Sequence, residues 1–238
     1  MRTFVLIVCM VLSASGLKSQ DTAALVDLIS QANEEHEQTI AGLYPYSYHQ
    51  DILFQKLDDD TTVEEQSKRT YMVNAVSEKE RTRNLLHAMD FKDGVWQDVT
   101  AEAKEDQKEG ESKKFSLREM VGPGYRDAYL FSLAGEEDYY GLRVYHLKVR
   151  VNEPAEDKFK GDLWVHRDEY IVVRAILQPS DLPAAVDSMT MEFDMSKQSG
   201  YWLPEHVKFY AEVSFLFFFS GRIRSDITFS DYTFFDKP

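Results

Sequence analysis

The spacing of apolar and polar residues changes character twice along this chain. From Phe4 to Leu12 it is unbroken: Phe4, Val5, Leu6, Ile7, Val8, Cys9, Met10, Val11 and Leu12. Between residues 22 and 41 the apolar positions fall at Leu25, Leu28, Ile29, Ala32 and Ile40, with Leu43 just beyond, a one-sided stripe at helical spacing. This predicts one helix, started by Asp21 or Thr22 and ended by Gly42, with Glu34, Glu35 and Glu37 on its outer face. After Gly42 the period becomes two.

Tyr46, Tyr48, Ile52 and Phe54 alternate with Ser47, His49 and Asp51, and the cluster Asp58-Asp59-Asp60-Thr61-Thr62 marks a turn. A return strand near Lys68 to Val76 completes a hairpin, and a short strand is expected from Arg83 to Met89. Residues 98 to 114 are densely charged and read as a solvated helix or loop. Ser116 to Met120 adds a helical turn stopped by Gly122-Pro123-Gly124. Strand signals dominate from Tyr129 onward. Tyr145, Leu147, Val149 and Val151 alternate with polar residues, as do Met189, Met191, Phe193 and Met195. Asp162–His166 and Tyr170–Gln178 flank a turn at Arg167-Asp168. Val207, Phe209, Ala211, Val213, Phe215 and Phe217 share one face of a long strand, and Ile223, Ile227 and Phe229 belong to its neighbour. Pro154, Pro179, Pro183 and Pro204 fall at strand ends.

The expected order is helix, a few strands, a charged insert, then six to eight successive strands, which pair antiparallel through short turns. Their one-sided apolar faces need a second sheet, a closed barrel or covering helices. Only about two helices are on offer, which fits a strongly curved sheet with helices on its open side. The class is mainly β, one domain over residues 21–238.

The first twenty residues read as a signal peptide. Arg2 gives the positive start, the apolar run is too short for an anchor of about 20 residues, and Ser13, Ala14, Ser15 and Gly16 follow. Cleavage is expected between Ser15 and Asp21. Cys9 is the one cysteine, and Val8 stands where a lipoprotein signal needs a small residue, so no lipid anchor is expected. The mature chain then holds no thiol for disulfides, nucleophilic catalysis or metal. With 27 basic and 41 acidic residues the net charge is −14; removal of Arg2 and Lys18 lowers it by two, to −16. That surface repels phosphate backbones, so nucleic acid is not an expected partner.

Catalytic motifs are missing. His36, His49, His87, His146, His166 and His206 form no His-x-His or His-Glu-x-x-His pattern. Asp58, Asp60, Thr62 and Glu64 have the alternate spacing of a calcium loop, but Val63 replaces its glycine and Arg69 its bidentate acid. No Gly-x-Ser-x-Gly elbow or phosphate-cradling glycine loop occurs. The expectation is a binding protein without cofactor or metal, not an enzyme. Two stripes stand out: Met189, Met191, Phe193 and Met195, whose methionines adapt to varied apolar shapes, and Phe215 to Phe219, apolar on both faces.

Four segments resemble the periplasmic lipoprotein-carrier superfamily (LolA/LolB/RseB-like), in its outer-membrane lipoprotein-sorting branch. They are Tyr46-Ser47-Tyr48-His49-Gln50 with Lys56-Leu57-Asp58 and Arg69-Thr70-Tyr71; Ala128-Tyr129-Leu130-Phe131 leading to Gly135-Glu136-Glu137 and Tyr140-Gly141-Leu142-Arg143; Gly161-Asp162-Leu163-Trp164-Val165-His166 with Val172-Val173-Arg174; and Tyr201-Trp202-Leu203-Pro204 with the phenylalanine strand, Arg222 and Ser230-Asp231-Tyr232. His166 departs from that branch, which usually has an acid there, and residues 90–114 do not follow its pattern.

The resemblance implies an unclosed antiparallel β-barrel, a half-pipe with helices packed on its concave side. It also implies a soluble periplasmic carrier of lipid or lipoprotein acyl chains, or alternatively an RseB-like sensor that uses the same pocket to regulate a membrane partner. The expected partners are a lipid or lipidated protein and a membrane-bound donor or acceptor. The residues expected to line the cavity are Leu25, Leu28, Ile29, Met189, Met191, Phe193, Met195, Phe209, Val213, Phe215 and Phe217.

Overall fold

The computed structural model describes residues 2–58, 62–77, 80–105, 118–122, 126–155, 157–215 and 219–235, with the side chains of the first helix described from Thr22 onward. The helix expected at 22–41 is part of α1 (Arg2–Gly42), and the chain leaves it at the expected Gly42. Eleven strands follow: β1 (Tyr46–Leu57), β2 (Val63–Ala75), β3 (Arg81–Lys92), β4 (Val95–Asp98), β5 (Tyr129–Tyr139), β6 (Leu142–Val151), β7 (Phe159–His166), β8 (Val172–Pro179), β9 (Val186–Gln198), β10 (Tyr201–Phe215) and β11 (Phe219–Phe234). Between β4 and β5 lie α2 (Thr100–Glu105), α3 (Arg118–Val121) and a 3-10 turn at Arg126–Ala128. The charged insert is thus partly strand β4 and helix α2. Residues 106–114, the Asp59–Thr61 part of the first hairpin turn and Pro123-Gly124 lie outside the described residues.

All eleven strands form one antiparallel sheet in the order β4-β3-β2-β1-β11-β10-β9-β8-β7-β6-β5. Every hairpin pairs with itself, and the first and last strands meet in the middle. The one connection that joins non-neighbours runs from β4 to β5, the two edges. The sheet is a barrel course left open there, and the bridging segment carries α2 and α3. Full closure would abolish both edges; among the described residues β4 and β5 each have one strand partner.

Because side chains alternate across a strand, the register sorts the residues into rows that cross the sheet on one face. One row reads Leu133, Leu147, Leu163, Ala175, Phe193, Val207, Ile227, Ile52, Arg69 and Ala88, from β5 to β3. The next on that face reads Phe131, Val149, Gly161, Leu177, Met191, Phe209, Ser225, Phe54, Ser67 and Asp90. The opposite face carries His146, Trp164, Arg174, Asp194, His206, Thr228, Asp51, Thr70 and His87 in one row. One face is therefore apolar and the other polar. The helices sit on the apolar face, which is the concave one. At Gly161 the φ is +150°, and a Cβ would lie 2.0 Å from the Ile176 carbonyl oxygen, so the β7–β8 approach tolerates no side chain there.

Among the described residues the helices cover only part of the apolar face. Ile29 of α1 and Met120 and Val121 of α3 bury themselves among Leu147, Val149, Leu163, Val165, Ala175 and Leu177, with Leu25 packed beside them. Fully burying side chains of this size stabilises by about 1.5–3 kcal/mol each. Asn33 fastens the helix to the β7–β8 turn: its Nδ2 donates to Tyr170 O at 2.9 Å, and its Oδ1 accepts from Val172 N at 3.3 Å. A second cluster gathers Val144, Ile171, Val173 and Trp202 beneath Ala32. A third, of Tyr46, Tyr48, Val73 and Ala75, lies where α1 hands over to β1.

Candidate functional site

Between these clusters, on β9, β10, β11 and β1, the apolar rows continue without helix packing among the described residues. Val207, Phe209, Ile227, Ile52 and Phe54 are all partly exposed, as are Met189, Val213 and Ile223. They adjoin in register: Met191, Phe209, Ser225 and Phe54 in one row; Val207, Ile227 and Ile52 in the next; Met189, Ala211 and Ile223 in a third. At the strand spacing of about 4.8 Å, the width from β9 to β1 is about 14 Å, and Ile223 to Phe229 spans about 20 Å along β11. Met191 and Ala211 form the buried floor at 8% and 4% exposure. The surface is thus a shallow apolar hollow, with the Ser225 hydroxyl placed among its hydrocarbon groups.

Polar groups enclose it. On the β2 and β3 side Arg69 pairs with Asp90 at 2.8 Å and also donates to Met89 O at 2.9 Å. Lys56, next to Ile223 in its row, pairs with Glu64 at 2.8 Å and Glu65 at 3.7 Å. The convex face of the sheet is a mesh of polar pairs. Arg174 reaches Glu192 and Asp194, each at 3.0 Å, His146 meets Asp162 at 2.6 Å, His206 meets Asp226, and Arg222 donates to Glu212 at 2.8 Å. Half-exposed pairs like these add little stability each, about 0–1 kcal/mol. They do fix which face water sees.

The cavity-lining residues expected from sequence divide into several groups. Ile29 is fully buried and Leu25 packs with it, so both belong to the helix–sheet core. Leu28 is 46% exposed, one residue and about 100° round the helix from Ile29, while Val26 is buried. Phe193 packs against the main core and Met195 against the Trp202 cluster. Met189, Met191, Phe209 and Val213 lie on the hollow's face. The Phe215 side chain and Phe217 lie outside the described residues. Sequence reading left out Ile52, Phe54, Val207, Ile223 and Ile227 as lining; each shows in its own strand's alternation, but only the β1–β11–β10 register joins them.

Among the described residues no three His, Cys, Asp or Glu side chains gather to hold a metal ion, and no helix is long and apolar enough to cross a membrane.

No family model matches the chain, and no curated protein matches it in sequence. Among solved structures it is similar to a LolA superfamily protein from Nitrosomonas europaea, at 13% identity and a TM-score of 0.36, over 84% of this chain and 94% of that one. It is similar to an outer membrane lipoprotein-sorting protein domain from Vibrio parahaemolyticus, at 10% identity and a TM-score of 0.39, over 86% and 91%. A third match is the Pseudomonas aeruginosa MucA/MucB complex, at 10% identity and a TM-score of 0.28, over 88% and 94%.

Proposed function

We propose that this protein is a carrier without catalytic activity that holds the acyl chains of a lipid or lipidated protein in the hollow on β9, β10, β11 and β1, and that it works in the periplasm after export. The observation that carries this reading is the continuation of the apolar rows, from Phe193 and Met191 to Ile52 and Phe54, past the end of the helix cover. A contiguous apolar surface of this extent marks an interaction site. Its chemistry suits hydrocarbon: aliphatic and aromatic walls, a methionine-bearing strand that adapts its shape, and few polar anchors. Burial of acyl methylenes contributes about 0.8 kcal/mol each, so one chain binds firmly without specific hydrogen bonds. The signal-like first twenty residues support export.

Uptake of a fluorescent fatty acyl probe tests this. Wild-type protein should bind it stoichiometrically. The variant Phe209→Asp should keep its circular dichroism spectrum and lose uptake, since a charge in an open hollow hydrates where one in a packed core cannot. Wild-type protein that leaves the probe in water would contradict the reading, as would folded Phe209→Asp that binds the probe normally.

A further inference from the structure

The concave face ends in a group of aromatic and basic side chains that acyl binding does not require. Past Ile52, β1 presents Tyr48 and Tyr46, whose β2 partners are Val73 and Ala75. Those pair in turn with Arg83 and Arg81 of β3. Tyr44, just after α1, stacks on Tyr46 with ring centres 5.0 Å apart, and Tyr232 stacks on Tyr48 at 5.2 Å. The Arg83 guanidinium lies 4.1 Å over the Tyr71 ring. Arg81 donates to the Tyr44 hydroxyl at 3.4 Å. Both arginines are exposed, while Tyr46 and Tyr48 are buried.

Arg81 is set among tyrosines. In a chain of net charge −14, Arg69, Arg143, Arg167, Arg174 and Arg222 each pair with a carboxylate. Among the described residues Arg81 interacts with tyrosines instead. Burial pushes the Tyr46 and Tyr48 hydroxyls above their usual range, so they remain protonated and able to donate. The place is continuous with the hollow: Tyr48 lies 5.9 Å from Phe229, which is two residues from Ile227 on the same strand.

We propose that Arg81 and Arg83, with the hydroxyls of Tyr44 and Tyr48, form a site for a phosphate-bearing head group whose acyl chain lies along β11 and β1 in the hollow. The inference rests on the acyl-binding reading and names the cargo class. Two guanidinium forks two residues apart on one strand, about 7 Å, can grip a tetrahedral phosphate from two sides while the hydroxyls fill its remaining acceptor sites. A guanidinium keeps its charge at any physiological pH.

The test compares dodecyl phosphate, dodecanol and inorganic phosphate by calorimetric titration. Wild-type protein should bind dodecyl phosphate about tenfold or more tighter than dodecanol, the scale of charge-assisted hydrogen bonds. Arg81→Gln and Arg83→Gln should each bring the two amphiphiles closer together and leave dodecanol affinity unchanged. Arg224→Gln, the same charge change on the convex face, should keep the wild-type preference. Equal affinity for both amphiphiles in wild type overturns the head-group site and leaves the hollow standing. A preference that survives Arg81→Gln and Arg83→Gln, or falls equally with Arg224→Gln, also overturns it. Binding of inorganic phosphate as tight as dodecyl phosphate assigns the site to free phosphate and overturns the lipid head group. Failure of both amphiphiles to bind removes the hollow and the lipid head group together.

Discussion

The two halves of the concave face are built from the same rows and meet different fates. At the β5 to β8 end, Leu147, Leu163, Ala175 and Leu177 are fully buried under Ile29, Met120 and Val121. A few strands along the same rows, Val207, Phe209, Ile227, Ile52 and Phe54 are partly exposed. The side chains are of one kind, so burial here is decided by where the helices lie rather than by strand composition. The covered half holds the fold together, and the uncovered half is free to hold something else.

The largest effect should come from placing a charge in the covered half. Leu163→Asp puts a carboxylate in a fully buried site with no partner and should cost more than about 4 kcal/mol, enough to abolish the cooperative unfolding transition seen by circular dichroism. Phe209→Asp, in the other half, should retain that transition. Equal loss in both would mean that the two halves are one core.

Next in size is the helix contact itself. Ile29→Ala should cost about 2–5 kcal/mol, read as a lower urea midpoint, because Ile29 is fully buried between α1 and the sheet. A shift below about 1 kcal/mol would show that α1 does not hold the covered half.

Much of this division was legible in the sequence, and its limits have physical causes. Alternation in β1, β6, β9 and β10 marked the strands, and the helical stripe centred on Ile29 marked α1. Seven strands follow Tyr129, within the expected six to eight. Alternation names a face but not its neighbour, so Ile52, Phe54 and Ile227 looked like ordinary strand residues until the register set them beside Val207 and Phe209. Leu28 and Ile29 stand about 100° apart on the helix, so a stripe that holds both does not say which of them is buried. β4 is four residues long and opens onto charged sequence, too short for a period to declare itself. The tyrosine and arginine group is assembled from β1, β2, β3, β11 and the segment after α1, a juxtaposition that no spacing encodes.

A smaller effect should follow pH. Burial beside the Trp202 backbone holds the His36 imidazole below its ordinary 6.5, although a hydrogen bond to that backbone and the nearby Glu169 oppose the shift. Its Nε2 is buried without a hydrogen-bond partner among the described residues. Below pH 6.5 the unfolded chain takes up a proton that the folded protein resists. The stability this gives is present above pH 6.5 and is lost as pH falls through the lowered value. Thermal unfolding should therefore shift downward on acidification in that window, and His36→Gln should flatten the slope. An unchanged slope in the variant would take His36 out of the account.

The central claim, that cargo occupies the uncovered half alone, is tested most directly by methyl NMR with a spin-labelled fatty acid. A nitroxide in the middle of the chain should broaden the methyl signals of Ile52, Val207 and Ile227 while those of Leu147, Leu163 and Leu177 stay sharp. Broadening that is equal across both sets, or confined to the second, would contradict it.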